Sequence, residues 1–200
     1  MNTTGITALR DSAAAVVRDL DMDAISAAAE VLAEVRLSQG IVLTAGNGGS
    51  SSTASHFAAD LVKYTRSPQQ PHFRALSLTD NIACHTAWTN DADPALAMAY
   101  LAEPWLPTGA KDAAVLFSVH GGARDGSVST NLVELARFVH KTGGKVIAVT
   151  GFDGGAIGDI SDVHINVPLD REPVATPGVE SVHLLVAHAL CLLLSGKEPS

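Results

Sequence analysis

Residues 41–60 read IVLTAGNGGSSSTASHFAAD. A short apolar run, Ile41 to Ala45, ends in a cluster of Gly and Ser, and a helical pattern follows. This order predicts a buried strand, a phosphate-sized loop and a helix N-terminus whose free N–H groups point at whatever fills the loop. Within that helix His56 and Asp60 stand four apart, so they share a face.

Upstream, Asp11–Leu20 and Met22–Gln39 are Ala-rich with apolar residues three and four apart, which predicts two helices broken at Asp21–Asp23. Gly40 stops the second. Downstream, strands are expected at Phe73–Leu78, Ala113–Val119, Lys145–Thr150 and Val163–Val167. Helices are expected at Asp80–Ala87 (capped by Thr79 or Asp80), from Asp93-Pro94 to Ala102, at Ser127–Lys141 and from Pro177 to Leu194. Phe152–Ile160 reads as a Gly- and Asp-rich loop. Strands alternating with helices imply an α/β fold with a five-stranded parallel sheet covered on both faces. Ligands bind such sheets beyond the strand C-terminal ends, here the loops at Gly46, Leu78, His120, Gly151 and Leu169.

The chain has 200 residues, enough for one domain: helices in 1–39 and an α/β core in 40–196, with a disordered tail expected from Lys197. Hydrophobic residues make up 46%, so a sizeable core can form, filled mainly by Ala, Val and Leu because aromatics are only 4%. The net charge of −8 argues against a nucleic-acid partner but not against a small anion held by backbone N–H groups. Cys84 and Cys191 read as two buried thiols in a reducing compartment. No signal-peptide pattern opens the chain, and the longest apolar stretch, Leu184–Leu194, is interrupted by His188. These features predict a cytoplasmic protein without a membrane partner.

Four constellations carry chemistry. Gly46–Ser52 offers permissive backbone and hydroxyl donors, yet it matches neither a dinucleotide fingerprint nor a Walker loop, and a serine-capped turn is its simpler reading. His56 and Asp60 form a metal-ligating or acid–base pair, or a local hydrogen bond on a half-exposed face. Glu180 and His188, eight apart on the last helix, share a face, with His183 beside it; a His among Val182, Leu184 and Leu185 is ordinarily a satisfied core residue. Together His56, Asp60, Glu180 and His188 provide four N/O donors, suited to tetrahedral zinc or to metal-free proton transfer. His120 and Arg124 flank Gly121-Gly122 and can face an anion or simply form a polar loop. Asn90-Asp91 reads as a polar loop or as a cap for the helix near Pro94.

The run GNGGSSSTASHFAADL resembles the loop-to-helix segment of the sugar isomerase (SIS) domain family, and looks most like the phosphoheptose isomerases. The resemblance spans nearly the whole chain and implies a flavodoxin-like three-layer sandwich assembled as a homotetramer, its N-terminal helices serving assembly and its active sites lying between subunits. It implies Asp60 and His188 as the proton-transfer pair, and His56, Asp60, Glu180 and His188 as ligands of one zinc ion. Asp60 stands where relatives carry Glu, and Glu180 where they carry Gln. Asn47, Gly48, Gly49, Ser50, Ser51, Asn90 and Asp91 fall near the substrate. One departure concerns the serine-rich loop with which relatives bind phosphate after the third strand. Here the corresponding run is Ser118-Val119-His120-Gly121-Gly122-Ala123; only Ser118 keeps its hydroxyl, and His120 and Arg124 stand as replacements. The activity implied is aldose–ketose isomerisation of a phosphosugar, sedoheptulose 7-phosphate to D-glycero-D-manno-heptose 7-phosphate, through an enediol. A non-catalytic regulatory or adaptor role (one family member binds a replication initiator) and an isomerase of another phosphosugar are the alternatives.

Overall fold

The computed structural model describes residues 3–107 and 111–197; the tail expected to be disordered lies, beyond Lys197, outside them. Five strands form one parallel sheet: β1 (Ile41–Gly46), β2 (Arg74–Ser77), β3 (Ala113–Ser118), β4 (Lys145–Gly151) and β5 (Val163–Val167). Their order is β2-β1-β3-β4-β5. Every C-terminal end therefore leaves the same edge, and the order reverses between β1 and β3, where Gly46 pairs with Phe117. That switch point is the crevice where doubly wound sheets take their ligands.

Among the described residues eight α-helices accompany the strands: α1 (Thr4–Arg18), α2 (Met22–Leu37), α3 (Gly49–Lys63), α4 (Ile82–Asp91), α5 (Ala97–Ala102), α6 (Thr130–Thr142), α7 (Gly155–Ile160) and α8 (Ala175–Ser195). Side chains alternate along each strand, so the sheet feeds two cores. Val42, Val115, Phe117, Ile147 and Val149 pack against Leu32 of α2, Phe57 and Leu61 of α3, and Val182 and Leu190 of α8. Leu43, Ala114, Leu116 and Ala148 pack against Leu101 of α5, Leu132 and Leu135 of α6, and Ile157 of α7. α8 is long and apolar enough to cross a membrane by length and composition, but 56% of its most apolar window is buried in the fold, as suits a core helix.

Local chemistry sets the boundaries. Asp21 caps α2, accepting from Ala24 N at 2.9 Å. Gly143, at φ 93°, closes α6 with its N–H bonded to the carbonyls of Val139 and His140. Three expectations are corrected. Asn81, not Thr79 or Asp80, caps α4, accepting from Cys84 N at 3.1 Å, while Asp80 accepts from Ser55 Oγ. Asp93 caps a 3₁₀ turn, Pro94–Leu96, before α5. Phe152–Ile160 is not all loop: backbone N–H groups of Ala156 and Ile157 donate to Gly122 O and Gly121 O, seating the short α7 against the β3 loop.

Arg36 lies on the buried side of α2, 2% exposed. Its guanidinium donates to Pro71 O (2.6 Å), Leu194 O (3.0 Å), Thr65 O (3.0 Å) and Gln70 Oε1, and sits 4.8 Å from the Phe73 ring centroid. The charge is compensated by carbonyl dipoles at the ends of α3 and α8 rather than by a carboxylate.

Candidate functional site

At the switch point a hollow of about 210 Å³ is lined by Asn47, Ser50, Ser118, Val119, His120, Ser129, Thr176 and Glu180. Asn47 is fixed by a reciprocal amide pair with Asn131: Asn47 Nδ2 donates to Asn131 Oδ1 at 3.0 Å and Asn131 Nδ2 to Asn47 Oδ1 at 2.9 Å. Ser50 is 3% exposed and its hydroxyl has no partner among the described residues, so it is free to donate into the hollow. Ser118 Oγ accepts from Gly121 N at 3.1 Å, which leaves its own proton available. Ser51 instead donates to Gly48 O at 2.7 Å, tightening the loop. Among the described residues no Lys or Arg lines the hollow; its donors are hydroxyls, an amide and an imidazole.

Glu180 enters the hollow from α8. Its carboxylate lies over the first turn of α3, where a Cβ on Gly49 would stand 2.4 Å from Oε1. The positive end of the α3 dipole favours a carboxylate there.

About two to three turns further along both helices, His56 and Asp60 of α3 meet His188 of α8. His56 Nε2 is 3.3 Å from Asp60 Oδ2, His188 Nε2 is 3.6 Å from the same oxygen, and the two Nε2 atoms are 3.2 Å apart. A tetrahedral ion at about 2.0–2.1 Å from each ligand would space its ligands by about 3.4 Å, so the three donors fit a divalent metal with one position open. Open positions belong to catalytic rather than structural sites. The group is half-exposed, in a shallow hollow completed by Tyr64, Cys191 and Leu192. Burial, and next the Asp60 charge, push the Cys191 thiol up to about 12, so it stays protonated.

The structure thus brings together three of the four expected metal ligands. Glu180 is not in the group: it precedes His188 by eight residues, about 12 Å of helix rise, and its carboxylate turns to Gly49. Arg124 is corrected more strongly. Its Nε and Nη2 donate to Asp159 at 2.6 and 3.0 Å and its Nη1 to Asp153 at 2.6 Å, and these carboxylates, Asp159 first, raise its pKa. A guanidinium so engaged has little left for a phosphate. Asn90 and Asp91 lie in the last turn of α4, exposed and bonded to each other at 2.7 Å, and do not line the hollow. His183 is buried as expected of a core histidine, yet among the described residues neither ring nitrogen has a hydrogen-bond partner.

Sequence reasoning missed Ser129, Thr176 and Asn131. Ser129, at the N-cap of α6, holds φ 54°, the left-handed region few non-glycine residues occupy. The hydroxyls missing from Ser118–Ala123 re-enter the hollow eleven residues later, after the glycine turns. The run Ser127-Val128-Ser129-Thr130-Asn131, just before an apolar period, was the available signal.

The sequence profile of the SIS domain family matches residues 7–151. Lincomycin biosynthesis protein LmbN of Streptomyces lincolnensis is 54% identical over 175 residues, covering 87% of this chain; the chain spans only 62% of that relative's length. The phosphoheptose isomerase of Laribacter hongkongensis is 34% identical over 170 residues, 84% of this chain and 80% of that protein. Among solved structures, a phosphoheptose isomerase from Francisella tularensis superposes with a TM-score of 0.81 at 25% identity, over 96% of this chain and 95% of that one.

Proposed function

The chain belongs to the SIS domain family and is a phosphosugar isomerase within it, and from that premise we propose that it interconverts a 2-ketose phosphate and its aldose, with sedoheptulose 7-phosphate as the leading substrate. The observation that carries this reading is the pairing of a hydroxyl-lined hollow at the switch point with the group His56, Asp60 and His188 on the two helices bordering it.

The reaction needs a base to take the C1 proton, an acid at the carbonyl oxygen, and stabilisation of the enediolate. Asp60 and His188 are the proposed proton-transfer pair. They stand 3.6 Å apart, close enough to face neighbouring atoms of one substrate. His56, between them, orients both through its ring nitrogen. The same three donors are the proposed zinc ligands; zinc, when bound, would supply Lewis-acid polarisation of the carbonyl and hydroxyl oxygens, and a donor engaged by zinc would not serve as base at the same time. Ser50, Ser118 and Ser129 donate hydroxyls to the phosphate, while the Thr176 hydroxyl is held by Glu172, and Asn47, locked by Asn131, orients a substrate hydroxyl. Glu180 accepts hydrogen bonds from the polyol.

A homotetramer with sites between subunits, in the cytoplasm, is part of the proposal. It is supported by apolar side chains left exposed on α1, α3 and α8: Ile6, Val62, Leu185, Leu192 and Leu193. Leu192 borders the His56–Asp60–His188 hollow, so a subunit covering it would also add a wall to that hollow.

A second reading, isomerisation of a different phosphosugar, is favoured by the 54% identity to a lincomycin biosynthesis protein and by the rebuilt β3 loop. Both readings are tested by following aldose formation from a panel of ketose phosphates, with metal content measured alongside. Asp60→Asn and His188→Ala should each lower kcat by about 10²–10⁴-fold. Full turnover in either folded variant removes the assignment of roles.

A further inference from the structure

A second hollow, of about 560 Å³, adjoins the first and is lined by Gly122, Arg124, Asp125, Ser127, Asp153 and Gly155 among others. Among the described residues His120 alone borders both. Its ring is stacked on Phe152, centroids 4.4 Å apart and planes tilted by 34°.

Phe152 itself is held unusually. Its φ is 51°, where a bulky side chain rarely sits. Its carbonyl accepts from Asn166 Nδ2 at 3.0 Å, and Asn166 Oδ1 accepts from Thr150 Oγ1 at 3.0 Å. Because the Thr150 proton is used there, His164 Nε2, 2.6 Å away, donates to Thr150 Oγ1. A hydrogen-bonded chain across β4 and β5 thus sets the backbone that aims the Phe152 ring. On the facing side the β3 loop cannot drift. Gly121 lies so close to Gly154 that a Cβ would meet its carbonyl oxygen at 1.9 Å, and Gly151 N donates to Val119 O at 3.0 Å. Backbone strain maintained by a dedicated network points to a functional constraint.

We propose that the His120–Phe152 stack is a partition that sets the chain length of the phosphosugar, with Phe152 as the positioning residue behind His120. The proposal rests on the phosphosugar isomerase reading. With the partition in place the substrate, reaching from the His56–Asp60–His188 group into the switch-point hollow, is closed off from the second hollow. With the His120 ring removed, or freed to swing aside by loss of the Phe152 ring behind it, the two hollows join, and the polar wall of the second, with the Ser127 hydroxyl and the Asp125 carboxylate, accommodates further hydroxyl-bearing carbons.

Phe152→Gly is the variant of choice, because glycine accepts the positive φ and the backbone need not move. His120→Ala removes the other ring, and Phe152→Tyr restores the stack. In the wild type the His120 ring protons should be shifted upfield in NMR spectra by the Phe152 ring current, and Phe152→Gly should return them to ordinary positions. With a ladder of 2-ketose phosphates of increasing chain length, both ring-removing variants should move the kcat/KM preference at least about tenfold toward longer chains, mainly through KM. Phe152→Tyr should restore the wild-type preference. Unshifted His120 protons in the wild type, or an unchanged preference in folded variants that have lost the stack, overturns the partition alone. A wild type that turns over no member of the ladder overturns the isomerase reading, and the partition with it.

Discussion

Acidification should unfold this protein partly through one histidine. His183 has no exposed surface, its ring centroid is 6.0 Å from that of Phe117, and both ring nitrogens lack hydrogen-bond partners among the described residues. Burial pushes its pKa down to about 4; the Thr150 carbonyl opposes this, but not from full hydrogen-bond geometry. In the unfolded chain the same imidazole titrates near 6.5. Between those values the unfolded state binds a proton that the folded state refuses, so stability falls as pH falls. The limiting slope is about 1.4 kcal/mol per pH unit, and the effect levels off near pH 4, where the folded form also protonates. From pH 7 to pH 5 the loss from this group comes to about 2 kcal/mol. His183→Leu keeps the volume and removes the titration. Urea unfolding at pH 7 and pH 5, in chelator and at one fixed protomer concentration, isolates the effect, since contributions of the other histidines cancel between the two proteins. Wild type should lose about 2 kcal/mol more than His183→Leu over that interval. Equal losses would refute the buried, neutral histidine.

Other outcomes follow from the same geometry. Arg36→Met strands two buried carbonyls, Thr65 and Leu194, and the part-buried one of Pro71, and should cost about 3 kcal/mol, or roughly a 10 °C fall in Tm for a chain of this size. A negligible Tm change would mean that the guanidinium is dispensable. Glu180→Ala should leave zinc affinity within about threefold of wild type while raising KM, whereas His188→Ala should weaken zinc at least about 10-fold. Zinc lost equally in both, measured by competition with a chromophoric chelator, would return Glu180 to the ligand set. Arg124→Ala should keep kcat/KM within about threefold, because Asp153 and Asp159 already occupy the guanidinium. A tenfold rise in KM alone would show that it reaches the substrate.

Periodicity made the sheet legible: Val163–Val167 coincides with β5, and the other four strands fall within one or two residues at each end. A buried strand is a short apolar run between turn residues, and this sequence writes each one clearly. α7 was hidden because Gly155 and Gly158 carry no helical signal; it exists through the bonds from Ala156 and Ile157 to the β3 loop, a tertiary effect. In the site, the spacing of His56 and Asp60 revealed a shared face, and the resemblance paired that face with His188. Spacing could not reveal which way Glu180 turns, because i and i+8 share a face while lying two turns apart. Nor could it show that Arg124 has two acidic partners some 30 residues away, or that Ser129 returns to the hollow across the glycine turns.

The most direct test of the account is isomerisation in deuterium oxide, read by NMR. Proton transfer through an enediol, with Asp60 and His188 open to solvent exchange, predicts that sedoheptulose 7-phosphate yields an aldose carrying deuterium at C2, and that Asp60→Asn abolishes its formation. An aldose formed without deuterium would show that the transferred hydrogen never exchanges with solvent, as in direct hydride transfer between C1 and C2. That result, or undiminished turnover in Asp60→Asn, would contradict the roles assigned to these residues.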